Sequence, residues 1–161
     1  MRGYFGVGVE GISKSFNLGN LVRTSHSFGS SFFFTIGSAL DYQNIRTSDT
    51  SHAAIHMPFY AHENVEAFTL PDDCSLVGVE LLDEAVDLPT FRHPLRAAYV
   101  LGPEKGNLSP ALVARCDHIV KIPMKFCVNV GVAGALCLYD RMISLGSFAE
   151  RPVTQGARVK R

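Results

Sequence analysis

Apolar and polar positions divide the chain into alternating short strands and helices. Tyr4 to Ile12 alternates Tyr4, Gly6 and Gly8 with Phe5, Val7 and Val9, which predicts a first strand. Asn17 to Phe28 carries Leu18, Leu21, Val22, Ser25 and Phe28 at helical spacing, with Gly29 as a stop. Ser31 to Ile36, with Phe32, Phe33 and Phe34, predicts a buried strand, and the polar stretch from Asp41 to Ser51 an exposed loop. Glu63 to Phe68 predicts a short helix, and Ser75 to Leu81 and Ala97 to Leu101 predict apolar strands. Pro110 to Arg115 predicts a second short helix, His118 to Ile122 a last strand, and Val128 to Leu145 a long closing helix.

Apolar strands bounded by helices, several without in/out alternation, predict an α/β fold with a mostly parallel sheet flanked by helices. Ligands in such sheets bind at the carboxyl ends of strands, so the loops after Ile12, Leu81, Leu101 and Ile122 are the candidates. The closing helix is apolar nearly all round over Val130 to Tyr139, which predicts a homodimer through the C-terminal helix.

Composition narrows the classes. The 161 residues suit one domain, and 47% hydrophobic with 19% charged residues is an ordinary globular balance. The longest apolar stretch, Phe126 to Tyr139, is too short to span a bilayer and contains Asn129, so no membrane partner is expected. Cys74, Cys116, Cys127 and Cys137 form no CxxC pair, which predicts reduced thiols and a cytoplasmic protein. The net charge is zero, which on its own argues against a nucleic-acid partner. The zero is an average. Residues 62–90 hold eight acids and no Lys or Arg, whereas residues 91–161 hold eleven bases and four acids.

Several motifs have plain readings. Gly6 to Gly11 matches GxGxxG, but the glycines lie inside a strand pattern rather than in a turn opening a helix. Small residues at a close backbone approach explain them better than a nicotinamide cofactor does. His52, His56 and His62 lack a Glu at HExxH spacing and an obvious third ligand, so no metal is expected. Cys127 has no base at readable distance and reads as a packed small residue.

Three segments are more specific when taken together. Asn17-Leu18-Gly19-Asn20-Leu21-Val22-Arg23 opens the first helix with amides and an arginine, a combination suited to an anion. Leu101-Gly102-Pro103-Glu104-Lys105-Gly106-Asn107-Leu108-Ser109 is a Gly-bracketed loop after a strand, where a ligand can approach the backbone. Ile122-Pro123-Met124 followed by Cys127-Val128-Asn129-Val130 joins the last strand to the closing helix. In this order the segments resemble the SpoU family of RNA ribose methyltransferases, within the SPOUT group. That family carries NxGNxxR, a GxExxGLS-like loop, and IPM followed by a small residue and Asn-Val. The resemblance spans Tyr4 to Leu145.

The resemblance implies a trefoil-knotted fold that periodicity alone does not suggest. It also implies transfer of a methyl group from S-adenosylmethionine to a ribose 2′-hydroxyl of tRNA or rRNA. The cofactor positions it implies are Val79, Glu80, Leu81, Leu101, Gly102, Ile122, Met124, Cys127 and Val128. Arg23, Asn17, Glu104 and Asn129 become the catalytic set, and Asn20, Arg23, Lys125 and Arg141 the RNA contacts. A guanidinium is always protonated, so Arg23 is expected to clamp a phosphate and stabilise a developing alkoxide rather than act as a base. Residues 1–148 would form the methyltransferase domain and 149–161 a basic tail. Two departures stand out: only Lys125 to Val128 separate Met124 from Asn129, and Cys127-Val128 replaces the family's usual Ser-Leu. The rival from another class is a SPOUT-fold RNA-binding protein that has lost turnover.

Overall fold

A computed structural model describes residues 3–41, 43–45 and 56–148. Along the chain run β1 (Tyr4–Glu10), α1 (Ser15–Ser27), β2 (Phe32–Ile36), β3 (Phe59–His62), β4 (Ser75–Val79) and β5 (Val86–Asp87). A 3-10 turn over Leu88–Thr90 leads to β6 (Arg96–Leu101), α2 (Pro110–Arg115), β7 (His118–Lys121) and α3 (Val130–Leu145). The seven strands form one sheet in the order β3-β2-β1-β6-β4-β7-β5, and every pairing is parallel.

The central strand shows why the apolar runs are unbroken. On β6, Ala97, Tyr99 and Leu101 join one core cluster while Ala98 and Val100 join the other, so both faces are buried. Helices α1 and α3 cover the first face through Leu18, Leu21, Val22, Cys137 and Leu138. The second face is closed by Phe68, Leu108 and Leu112. Helices α1 and α3 approach closely, because a Cβ at Gly134 would lie 2.5 Å from Leu21 Cδ1.

The glycines of the first strand have a packing cause. Gly6 pairs with Phe32 and Gly8 with Phe34 in the β1–β2 register, and a Cβ on either glycine would run into the opposing ring. Helix α1 opens only at Ser15, so the run forms no phosphate-binding turn and the dinucleotide reading falls. The close approach is of aromatic rings, not of two backbones.

Other expectations need correction. Residues 63–68 form bends and turns rather than a helix. Phe68 turns inward there, its ring stacking on Phe34 at 4.9 Å and meeting His62 edge-on at 5.1 Å. Strand β3 was not anticipated. Of the expected loop at 41–51, residues 46–51 lie outside the described residues, while 43–45 are helical and Ile45 is fully buried. His52 and the tail at 149–161 also lie outside the described residues. Among the described residues, no helix is long and apolar enough to cross a membrane.

Arg141 is the largest correction. It is 6% exposed, and its guanidinium donates to the carbonyls of Pro94 (2.6 Å) and Leu95 (2.9 Å) and to Tyr99 Oη (3.1 Å). It also lies 5.0 Å over the Phe5 ring. A charge so enclosed supports the packing of α3 on β6 and is not available to an RNA backbone.

Candidate active site

Each of the three motif segments ends a strand or begins a helix, and one hydrogen-bonded chain joins all three. After β1 the backbone enters α1 through Ser13 and Lys14, whose N–H groups donate to Glu104 Oε2 (3.2 Å) and Oε1 (2.9 Å). Ser13 Oγ also bonds Glu104 Oε2 at 3.3 Å. A carboxylate at a helix amino end is favoured by the free N–H groups there, and here it comes from a loop about 90 residues away in sequence. Asn17 Nδ2 donates to Glu104 Oε1 at 3.2 Å, and Asn129 Nδ2 donates to Asn17 Oδ1 at 3.0 Å. Asn129 Oδ1 in turn accepts from Gly131 N at 2.8 Å and so caps α3.

This network sets the charge on Glu104. Burial pushes its carboxyl upward, but N–H groups of Glu104 itself, Lys14 and Ser13 and the Asn17 amide outweigh that and hold it below the usual carboxylate range. Glu104 is therefore ionised at neutral pH with its oxygens engaged, which suits a structural anion and not a proton acceptor.

Two further carboxylates fix the loop after β6. Glu80 Oε2 accepts from Leu108 N at 2.7 Å, and its Oε1 accepts from Leu81 N at 2.9 Å. Glu10 accepts from Ser109 N (2.8 Å) and Ser109 Oγ (2.6 Å), while Ser109 caps α2 by accepting from Leu112 N. The loop turns through Gly106, at φ +101°, a backbone conformation that favours glycine. On the far side, Lys121 Nζ donates to the carbonyls of Leu82 (3.3 Å) and Asp83 (3.1 Å), which holds the loop after β4 against β7.

Between these loops lies a cavity of about 530 Å³ at the carboxyl ends of β6, β4 and β7, within the roughly 300–1,000 Å³ of small-molecule sites. Its wall includes Val79, Glu80, Leu81, Leu101, Gly102, Ile122, Met124, Cys127 and Val128, the nine positions singled out for a cofactor. Asn17, Glu104 and Asn129 line it as well. Gly102 lets the backbones approach, since a Cβ there would sit 3.3 Å from Leu108 N. Apolar walls with a few fixed polar groups and exposed backbone suit an uncharged ring joined to a polar tail.

Arg23 and Asn20 do not line this cavity. Both are exposed on α1, and Arg23 stands six residues beyond Asn17, about 9 Å along the axis. Lys125 is exposed on the loop that follows Met124. His56 stacks on His26 at 6.0 Å rather than joining a metal cluster. Sequence reasoning missed Lys14 in the wall and Glu10 as the holder of Ser109, while Asn107, Val130 and Ala133, which lie within or beside the motif segments, were not singled out for the cavity. The Ser109-Pro110 pair, a cap followed by a first-turn proline, was the available signal for that anchor.

The family model of the SpoU rRNA Methylase family matches residues 5–139. The chain belongs to the SpoU rRNA Methylase family. Among curated relatives of this SpoU chain, it is 29% identical over 142 residues to the 23S rRNA (guanosine-2'-O-)-methyltransferase RlmB of Nitrosomonas europaea, covering 82% of this chain and 53% of that protein. It is 26% identical over 144 residues to the mouse (Mus musculus) tRNA (guanosine(18)-2'-O)-methyltransferase TARBP1, covering 80% of this chain and 9% of that protein. The chain thus spans about half the length of the first relative and a small part of the second. In fold, it resembles the AdoMet-bound rRNA methyltransferase of Sinorhizobium meliloti with a TM-score of 0.79 at 22% identity, over 91% of this chain and 59% of that one.

Proposed function

We propose that this SpoU-family chain transfers the methyl group of S-adenosylmethionine to a ribose 2′-hydroxyl of tRNA or rRNA. The observation that carries the reading is that one cavity wall holds all nine expected cofactor positions together with Asn17, Glu104 and Asn129. The named activities of the relatives support it. When bound, S-adenosylmethionine supplies an electrophilic methyl group on a sulfonium centre.

The chain's own residues supply position and charge. Val79, Leu101 and Ile122, with the more exposed Leu81 and Val128, give the pocket an apolar wall, and the loops held by Glu80 and Glu104 keep that wall in place. Held in this way, reactants gain several kcal/mol through orientation. Arg23, always charged, holds a phosphate of the RNA and stabilises the ribose oxygen as that oxygen takes the methyl group, its proton passing to water and the thioether S-adenosylhomocysteine being left behind. Asn20 and Lys125 are the neighbouring RNA contacts, both exposed.

The finer features belong to the same proposal. A trefoil knot through the second and third motifs is expected from the resemblance, and β4 lying between β6 and β7 suits it. A homodimer through α3 is supported by Val132, Leu136, Tyr139, Met142 and Leu145, exposed apolar residues recurring along that helix. Residues 1–148 form the methyltransferase domain, and 149–161 a basic tail for the RNA backbone. Four free cysteines suit the reducing cytoplasm.

Titration calorimetry with S-adenosylmethionine and with NAD tests the cofactor. Binding of the methyl donor alone is the expected result, and binding of NAD alone contradicts the proposal.

A further inference from the structure

Phe126 and Phe16 stand apart from every other large apolar side chain near the cavity. Phe126 is 84% exposed, although Met124 and Cys127 on either side of it line the cavity wall. Phe16 is 70% exposed, although its neighbour Asn17 is buried in the wall. A single exposed apolar residue calls for no explanation. These two, however, belong to the two segments that the Asn17–Asn129 hydrogen bond holds together, Phe16 next to Asn17 and Phe126 three residues before Asn129.

Each ring has cations near it in sequence. Lys125 precedes Phe126, and Lys14, two residues before Phe16, lines the cavity. Phe16 and Arg23 are seven residues apart, two turns along one exposed face of α1. Exposed aromatic faces with Lys and Arg beside them are what unstacked bases and their phosphates bind. A base inside a duplex presents no free face to such a ring.

We propose that Phe126, with Phe16 at the start of α1, is a stacking ledge for unpaired bases flanking the methylated ribose. This rests on the methyltransferase reading and assigns one of its RNA contacts. Phe126 lies in the loop of four residues between Met124 and Asn129, both of which line the cavity.

The test uses the whole chain with two fluorescein-labelled probes, a 12-nucleotide oligoadenylate and a 12-base-pair RNA duplex. Phe126→Ala is expected to weaken binding of the single strand about 10-fold and to leave the duplex and S-adenosylmethionine affinities unchanged. The chain contains no tryptophan, so Phe126→Trp introduces a single reporter. Its emission is expected to be quenched by the single strand and not by the duplex. Unchanged single-strand binding by Phe126→Ala, or unresponsive emission from Phe126→Trp, overturns the ledge. So does conversion of a wild-type dimer to a monomer by Phe126→Ala in sedimentation, which assigns the ring to a second copy of the chain. Methyl transfer by the wild type, measured alongside, separates the two levels: if it is absent, the function reading fails, whereas an active enzyme indifferent to Phe126→Ala refutes the ledge alone.

Discussion

The amide of Asn129 donates to the carbonyl oxygen of Asn17 across 3.0 Å, joining the start of α3 to the first turn of α1. Through Asn17 the bond continues to Glu104, so three segments distant in sequence share one polar chain. Each member leaves an unpaired neighbour if removed. Asn17→Ala is expected to cost about 1–3 kcal/mol of stability, read by urea unfolding, and to weaken S-adenosylmethionine binding. Full retention of both contradicts a role for the chain in building the cavity.

Glu104→Gln keeps the shape but removes the anion facing the N–H groups of Ser13 and Lys14. The hydrogen bonds that hold the Glu104 carboxyl low stabilise the fold above the ordinary carboxylate range and lose that effect as pH falls through the lowered value. Urea unfolding of wild type and variant between pH 3 and pH 7 is expected to converge at the acid end. Parallel curves across the range contradict the assignment.

His93 gives the opposite end of the sheet a pH dependence. Arg141 donates to Tyr99 Oη, Tyr99 bonds His93 Nδ1 at 2.6 Å, and His93 Nε2 bonds Asp140 Oδ2 at 2.8 Å. Arg141 has only donors, so the Tyr99 proton goes to a neutral His93 and the second imidazole nitrogen donates to Asp140. Burial pushes His93 below its ordinary value near 6.5, against the pull of Asp140 and with the help of Arg141. The unfolded chain therefore takes up the proton first as pH falls. Stability from this site is full above about pH 6.5 and declines below it, so the melting temperature should drop between pH 7 and pH 5.5. The drop should shrink in His93→Gln, and an equal drop in the variant refutes the cause.

Cys127, expected as a packed small residue, is instead the exposed thiol of the four and lines the cavity. Burial pushes Cys116 up to about 11 and Cys137 up to about 12, and raises Cys74 as well, so these three carry little thiolate at neutral pH. Iodoacetamide is expected to modify Cys127 first and to block S-adenosylmethionine binding, with protection by the bound cofactor. Cys127→Ser should bind the cofactor and resist the reagent. First modification elsewhere, by peptide mass mapping, contradicts this account of the wall.

Much of the sheet was legible because β6 and its neighbours are buried on both faces and read as apolar runs. Strand β3 was not, since it lies at the sheet edge and its residues are half to fully exposed. The turn at 63–68 follows from Phe68 packing on Phe34, a contact between that turn and β2 that no local period encodes. Arg141 was misassigned for a similar reason: a charge on a helix reads as solvent-facing until Tyr99 and the carbonyls of Pro94 and Leu95 are seen around it. The cavity wall was legible through motif resemblance, whereas the Glu10–Ser109 anchor depends on a meeting of residues 99 positions apart.

The most direct measurement is transfer of tritium from methyl-labelled S-adenosylmethionine to RNA from cells lacking the protein, followed by nuclease digestion to nucleosides. The label is expected in a 2′-O-methylnucleoside with the wild type. With Arg23→Ala it should fall by about 100-fold or more while the methyl donor still binds. Label on a base, no transfer at all, or undiminished transfer by Arg23→Ala would contradict the account.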